Sequence, residues 1–311
     1  MRDVFIKRLS EICETNSDII LLTGDLGFGV LNDFRERFPK QFLNVGVAEQ
    51  NMTGLATGLG LAGKTTFTYS IGNFCTLRCL EQIRNDACYH EANVNIISVG
   101  GGFSYGSLGY SHHATEDLSI MRALPNIRVF SPGDLWETEK ITEILANSKG
   151  VNYLRIDKSW AEDNHSPGEI LEVGKARVLR EGKDMSIIAT GGILKVAINV
   201  ADQLKKEGIH VRVLSMHTIK PIDSEAIIAC AKETGGIITL EEHTVIGGLG
   251  SAVGEVLLDQ NVIPESFARI GLKTGFSTIV GSQDYLRKRY GMDESAVKAK
   301  IKELLKLEVS S

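Results

Sequence analysis

The sequence of 311 residues predicts two α/β domains, each a largely parallel sheet flanked by helices. Three observations predict it. Strand-sized apolar runs such as 94–99 and 185–190 alternate with helical patterns along the chain, as parallel sheets with crossover helices require. A polar stretch over 158–168 interrupts that alternation once. The length also suits two cores, because single cores stop growing at about 250–300 residues.

Taken in order, 18–23 and 42–45 read as strands. A helix follows over 49–61, with Met52, Leu55 and Leu59 at helical spacing. Gly54, Gly58 and Ala62, four apart, give that helix a face that another helix can approach closely. Residues 65–69 form a strand, 76–87 an amphipathic helix, and 94–99 and 127–130 two more strands. Ser131-Pro132-Gly133-Asp134 is a turn and cap for a helix over 136–146, and a strand at 153–156 closes the unit. The second unit predicts strands at 185–190, 211–215 and 237–241. Its helices are predicted near 195–207, 224–233, 250–258 and 294–307. The predicted division is a first domain at 1–160, a linker at 161–174 and a second domain at 175–311.

Composition excludes several classes of function. With 43% apolar residues, 23% charged residues and a net charge of −5, the chain offers no basic face for nucleic acid. No apolar stretch approaches the length of a membrane span, and the N-terminus opens into a helical pattern without a signal-peptide core. The five cysteines, at 13, 75, 79, 88 and 230, are odd in number and include no CxxC pair. That argues against a disulfide framework or a metal site, and for a reducing cytoplasm.

The stretch Asn44-Val45-Gly46-Val47-Ala48-Glu49-Gln50-Asn51-Met52 sets one carboxylate at a helix mouth directly after a strand. By charge and position alone it reads as a glutamate favoured by the helix dipole. The surrounding residues say more. This stretch, the opening Thr23-Gly24-Asp25-Leu26-Gly27, and Phe74-Cys75-Thr76-Leu77-Arg78-Cys79-Leu80-Glu81-Gln82-Ile83-Arg84 together resemble the pyrimidine-binding domain of the transketolase family. The resemblance continues, in order, over nearly the whole chain. It implies thiamine diphosphate as cofactor, with Glu49 as the carboxyl group that exchanges a proton with N1′ of the aminopyrimidine. Such positioned proton transfer is worth about 10²–10⁴ in rate. It further implies that Phe74 stacks on the ring, worth about 0.5–1.5 kcal/mol beyond burial, and that Asp25 and Leu26 adjoin the cofactor. Arg78, Glu81 and Arg84, at three-residue spacing, read as a charge ladder without chemistry.

A glycine-rich loop, Gly100-Gly101-Gly102-Phe103 through Ser111-His112-His113-Ala114-Thr115-Glu116-Asp117, follows a buried strand, where α/β sheets bind ligands. Three glycines without a lysine are a weak phosphate signal. Ser111-His112-His113 stands where the family has Thr-His-Gln, so the resemblance implies that His112 meets a substrate oxygen, a role that its near-neutral pKa suits. His113, Lys158 and Arg155 are the further substrate-side candidates. Three departures bear on the substrate: Gly100 replaces a family histidine, Leu108 an aspartate, and Lys158 an arginine. They imply a less polar wall and a sugar other than an ordinary pentose phosphate, such as a deoxy or nucleotide-linked sugar or a small carbonyl compound.

The second domain resembles the family's C-terminal domain through 185–191, 217–223 and 240–251. Gly247-Gly248-Leu249-Gly250 matches GxGxxG poorly, and its glycines read as allowing close packing of a helix on the sheet. His217, Glu241 and His243 lack metal-ligand spacing, and the domain reads as mainly structural. The family's Gly-Asp-Gly marker for the diphosphate-binding half is missing. Mg²⁺ and its oxygen ligands are therefore implied to come from a large partner subunit in a two-fold heterotetramer, without which this chain is inactive. The implied reaction is transfer of a two-carbon ketol unit between a ketose and an aldehyde. A deoxyxylulose-phosphate synthase-like enzyme and a 2-oxo acid decarboxylase beta-type subunit share the cofactor, and a non-catalytic scaffold is the alternative of another class.

Overall fold

The computed structural model describes residues 1–163, 165–273 and 275–307. Asn164 of the predicted linker, and Thr274 and residues 308–311 of the predicted second domain, lie outside the described residues. The chain forms two α/β units. Strands β1 (Ile19–Thr23), β2 (Phe42–Asn44), β3 (Thr65–Ile71), β4 (Val94–Val99), β5 (Ile127–Phe130) and β6 (Val151–Ile156) belong to the first. Strands β7 (Arg177–Arg180), β8 (Met185–Thr190), β9 (Val211–Ser215), β10 (Thr218–Lys220), β11 (Ile237–Thr244) and β12 (Phe267–Leu272) follow.

The first sheet has seven strands in the order β10-β5-β6-β4-β3-β1-β2, all parallel except β10. The second has five, β12-β11-β8-β9-β7, with only β7 antiparallel. β4, β6 and β8 are buried along their whole length, and polar residues within them are paired inside the fold, Asn152 Nδ2 with Asn95 Oδ1 at 2.7 Å and Arg155 with the Glu242 carbonyl at 2.8 Å. β10 comes from the second half of the chain yet extends the first sheet, so the two units share an edge. The helices Glu49–Leu61 and Ser224–Glu233 have the predicted bounds. Asp134 caps the helix Leu135–Asn147 by accepting from the Glu137 backbone N–H.

The predicted helix over 76–87 is the clearest departure. The chain makes one helical turn at Gly72–Cys75, a short helix at Leu80–Gln82 and a wide π-type turn at Ile83–Cys88. Hydrogen bonds spanning five residues, Arg78 N–H to Asn73 C=O and Tyr89 N–H to Arg84 C=O, mark the widened turns. Apolar periodicity at 3.6 residues cannot report such a turn, which inserts extra backbone into the helix. Among the described residues no helix is long and apolar enough to cross a membrane, and all five cysteines are buried and free.

A sealed charge network joins the two units. Glu242 on β11 accepts from the Phe103 N–H at 2.5 Å, from Gln283 Nε2 at 2.9 Å and from Arg287 Nε. Arg287 Nη2 reaches Ser159 Oγ at 2.7 Å. On the opposite face of the second sheet, the Glu241 carboxylate accepts from the Leu249 and Gly250 N–H groups at 2.7 and 2.8 Å, at the start of the helix Leu249–Asp259. That carboxylate fills the place an anion would need, so Gly247–Gly250 is a packing turn.

Candidate active site

The loops that follow β1, β2, β3, β4 and β6 gather at the carboxyl edge of the first sheet, where parallel sheets hold their ligands. Glu49 opens the helix Glu49–Leu61 and is only 2% exposed. The chain reaches it by turning at Gly46, whose φ of +75° suits glycine. Asn44, at the end of β2, pins that turn. Its Oδ1 accepts from the Asp25 and Gly46 N–H groups, each at 3.0 Å, and its Nδ2 donates to Asp25 Oδ1 at 3.1 Å. The pairing holds Asp25 in the left-handed region, at φ 57°. A Cβ on neighbouring Gly24 would lie 3.4 Å from Glu49 Cγ, so the loop of Asp25 and Leu26 borders the glutamate. Leu26 is tied in through its carbonyl, which accepts from Thr23 Oγ1 at 3.1 Å.

The broken helix after β3 brings Phe74 and Arg78 together. The Arg78 guanidinium lies 4.8 Å from the centre of the Phe74 ring, and its Nη1 donates to Glu49 Oε2 at 2.7 Å. Arg78, which reads in the sequence as part of a charge ladder without chemistry, is thus the direct partner of Glu49. Its side chain is 46% exposed, so one end of this pair opens to water. A planar N–H donor is therefore already seated on the phenyl face and against the carboxylate. The protonated edge of an aminopyrimidine is a planar N–H donor of the same kind, and the residues present fit that ring.

His112 stands next in the same chain of contacts. Its ring is edge-on to Phe74 at 5.3 Å and to Tyr105 at 6.2 Å, and its Nδ1 pairs with Ser111 Oγ at 3.0 Å. Partial burial, followed by the neighbouring His113, lowers its pKa, which keeps the ring neutral near pH 7. Paired N–H to C=O bonds between Gly102 and Ala114, at 2.8 and 3.0 Å, close the loop that carries His112. His113 is buried, with Nε2 against the Gly106 carbonyl at 3.2 Å and its ring edge-on to Phe103 at 5.1 Å. Its position locks the loop, and its other nitrogen, Nδ1, is buried without a hydrogen bond among the described residues.

The other two substrate-side candidates separate. Lys158 places Nζ 3.9 Å from the centre of the Tyr105 ring, and its pKa is lowered by burial and by Arg2 nearby. Arg155 is not brought to the cleft. It is 2% exposed, with Asp117 at 3.7 Å, Asp157 at 3.4 Å and the Glu242 carbonyl at 2.8 Å, and these leave no face for a substrate phosphate. The three glycines of the loop have the same origin. A Cβ at Gly100 would run into the Tyr105 ring, at Gly101 into Arg155 and Asp157, and at Gly102 into Glu242. They accommodate this packing and do not cradle a phosphate. A cavity of about 390 Å³ adjoins Phe74, Arg78, His113, Tyr110 and Phe276. A larger cleft of about 770 Å³ lies beyond Lys158, lined by charges of both signs.

Residues 1–162 match the transketolase pyrimidine-binding domain and residues 174–297 the transketolase C-terminal domain. The chain belongs to the transketolase family. A putative transketolase C-terminal section from Methanocaldococcus jannaschii is 37% identical over 311 residues, spanning 99% of this chain and 97% of that protein. An apulose-4-phosphate transketolase subunit of Phocaeicola vulgatus is 35% identical over 298 residues, spanning 95% and 94%. A solved structure described as a split gene transketolase, inactive beta4 tetramer, superposes with a TM-score of 0.88 at 39% identity, covering 99% of both chains. As a transketolase-family chain, this protein corresponds to the split-transketolase subunit that carries the pyrimidine-binding and C-terminal domains, as the sequence resemblance implied. Asn44, Arg78 and Tyr105 are the residues at the site that sequence reasoning missed. Only Asn44 carried a signal, as an asparagine two residues before a glycine at a strand end, which favours an Asx turn.

Proposed function

We propose that this chain is the small subunit of a split transketolase and transfers a two-carbon ketol unit from a ketose to an aldehyde, with thiamine diphosphate bound between it and a large subunit. The observation that carries this reading is the buried Glu49 carboxylate facing a planar N–H donor stacked on Phe74. Thiamine diphosphate supplies the carbon nucleophile that takes up the ketol unit. Glu49 holds and exchanges the proton at N1′, and Phe74 offers the stacking face. Arg78 gives up both contacts when the aminopyrimidine enters. His112, neutral and anchored through Nδ1, presents Nε2 to a substrate hydroxyl or carbonyl oxygen. Asp25, Leu26 and Asn44 fix the approach of the loop to Glu49.

Two features support a partner chain that brings Mg²⁺ and the diphosphate site. Phe28, Val47, Leu55 and Leu77, large apolar side chains of the loops and helix about Glu49, are exposed to water. On the helix Glu49–Leu61, a Cβ at Gly54 or Gly58 would meet nothing within 4 Å, so this small-residue face is open in the chain alone. The names of the relatives, as subunits of split enzymes, point the same way.

The test is reconstitution with a large subunit carrying the diphosphate-binding half. The chain alone gives no transfer, the complex consumes a ketose donor and an aldose acceptor, and Glu49→Ala in the complex abolishes transfer. Carbon dioxide release from pyruvate in place of ketol transfer would overturn the reading in favour of a decarboxylating relative. Unchanged activity of Glu49→Ala would favour the scaffold.

A further inference from the structure

The loop that carries His112 is held from two sides. On one side, Gly102 and Ala114 exchange the paired bonds that close it. On the other stands Asn73, the residue before Phe74. Its Nδ2 donates to the Ser111 carbonyl at 3.2 Å and to the His113 carbonyl at 2.9 Å, so it grips the residues on either side of His112. Both hydrogens of the amide are thereby committed to one short stretch of backbone. Gly72 lets the two segments meet this closely, since a Cβ there would lie 2.6 Å from Ala114 Cβ.

The same residue is tied to the cofactor side. The Asn73 carbonyl accepts from the Arg78 N–H at 3.5 Å, in the widened turn that carries Phe74 and aims Arg78 at Glu49. One asparagine thus joins the turn that forms the stacking face to the loop that forms the substrate-side histidine. The support of the His112 ring itself is looser. It makes edge contacts with Phe74 at 5.3 Å and Tyr105 at 6.2 Å, and its Nδ1 pairs with the hydroxyl of the exposed Ser111.

We propose that Asn73 is a positioning residue for His112, whose side-chain amide sets the distance between the histidine and the Phe74 face. This rests on the ketol-transfer reading and adds to it a residue that acts through another. A catalytic group displaced by about 1 Å can lose about 100-fold in rate, and without Asn73 the loop keeps only its ties on the Gly102 side.

The experiment has three readouts. In the reconstituted complex these are kcat for ketol transfer and the rate of hydrogen–deuterium exchange at C2 of the bound thiamine diphosphate. In the chain alone it is the pH titration of the His112 ring proton by NMR with labelled histidine, identified by its loss in His112→Gln. Asn73→Ala lowers kcat at least about 10-fold and leaves C2 exchange within about twofold of the parent, because Glu49 and Phe74 stay in place. In a His112→Ala background the same substitution changes kcat by less than about twofold, since the group that it positions is gone. In the chain alone it moves the His112 titration upward, towards the ordinary 6.5, as the loop loosens and the burial that lowers the pKa is lost. Asn73→Leu fills the same space without a donor and gives the same three results. Melting curves establish that each variant folds.

Equal losses in kcat and C2 exchange, additive with His112→Ala, would mark a merely structural amide and overturn the proposal. So would a kcat within about twofold of the parent in both Asn73 variants. A parent complex that exchanges C2 but transfers no ketol unit would sink the ketol-transfer reading instead. The His112 titration in the chain alone then still decides the matter: an upward shift in the Asn73 variants keeps the positioning role, and an unmoved titration removes it.

Discussion

Replacing Arg155 by methionine should be among the most damaging single changes that leave the cleft untouched. The guanidinium is buried between Asp117 and Asp157 and donates to the Glu242 carbonyl, so it ties β6 to the second sheet. Methionine fills similar volume but leaves two buried carboxylates without their counter-charge. Breaking a buried pair from one side costs about 3–5 kcal/mol, against a total stability of about 5–15 kcal/mol for a folded domain. The loss should depend on pH in a definite direction. Burial already raises the Asp157 pKa, and Arg155 opposes that rise. Without Arg155 it rises further above the unfolded value. The folded variant then holds a proton that the unfolded chain releases, so its stability is greatest in acid and falls as pH climbs through the raised pKa. Urea unfolding, followed by the fluorescence of the two tryptophans and by circular dichroism at pH 5 and pH 8, measures this. The variant should be weaker at pH 8 than at pH 5 relative to the parent, with Arg155→Lys intermediate. A loss below about 1 kcal/mol, or an equal loss at both pH values, would refute the reasoning.

Further outcomes follow from the same geometry. Gly102→Ala forces a Cβ to within 2.7 Å of the Glu242 carbonyl oxygen at a φ of +57°, so soluble yield and melting temperature should both fall sharply. His217 is buried with its pKa lowered to about 4, mainly by desolvation, so the unfolded chain takes up a proton that the folded one refuses. Stability should drop as pH falls from 6.5 towards 4, by at most about 3 kcal/mol. Asp134, pushed up to about 6 chiefly by burial, works in the opposite sense over the same range. His217→Gln should therefore become more stable relative to the parent on acidification, as read by melts at pH 7 and pH 5. Gly58→Leu adds a side chain where this chain offers no contact. It should stabilise the isolated helix by up to about 1 kcal/mol yet block complex formation in size-exclusion chromatography with the large subunit.

Much of the architecture was legible because its signals are local. Buried runs at β4, β6 and β8, and the cap at Asp134, depend on neighbours in sequence. Glu49 was singled out differently: its place between a strand and a helix gave only a dipole-favoured glutamate, and its assignment rests on the family resemblance of the residues around it. The break in the helix over 76–87 was not legible, because a widened turn keeps an apolar face while shifting its phase. That shift decides where Arg78 points, so its ion pair with Glu49, 29 residues away in sequence, went unseen. Arg155 misled for a related reason. The sequence shows an arginine at the end of a strand near the site, and only the packing of Asp117, Asp157 and Glu242 turns it inward. Gly100 read as a lost histidine, and nothing local announced that Tyr105 occupies the space.

The central claim is that the Glu49 carboxyl group governs the proton at N1′ of thiamine diphosphate bound between this chain and its partner. The most direct measurement is the rate of hydrogen–deuterium exchange at C2 of the bound cofactor, followed by proton NMR after acid quench, in the reconstituted complex and in its Glu49→Gln variant. Exchange at least about 100-fold slower in the variant, with cofactor still bound, is the predicted result. Exchange at the parent rate in the Glu49→Gln complex would contradict the account.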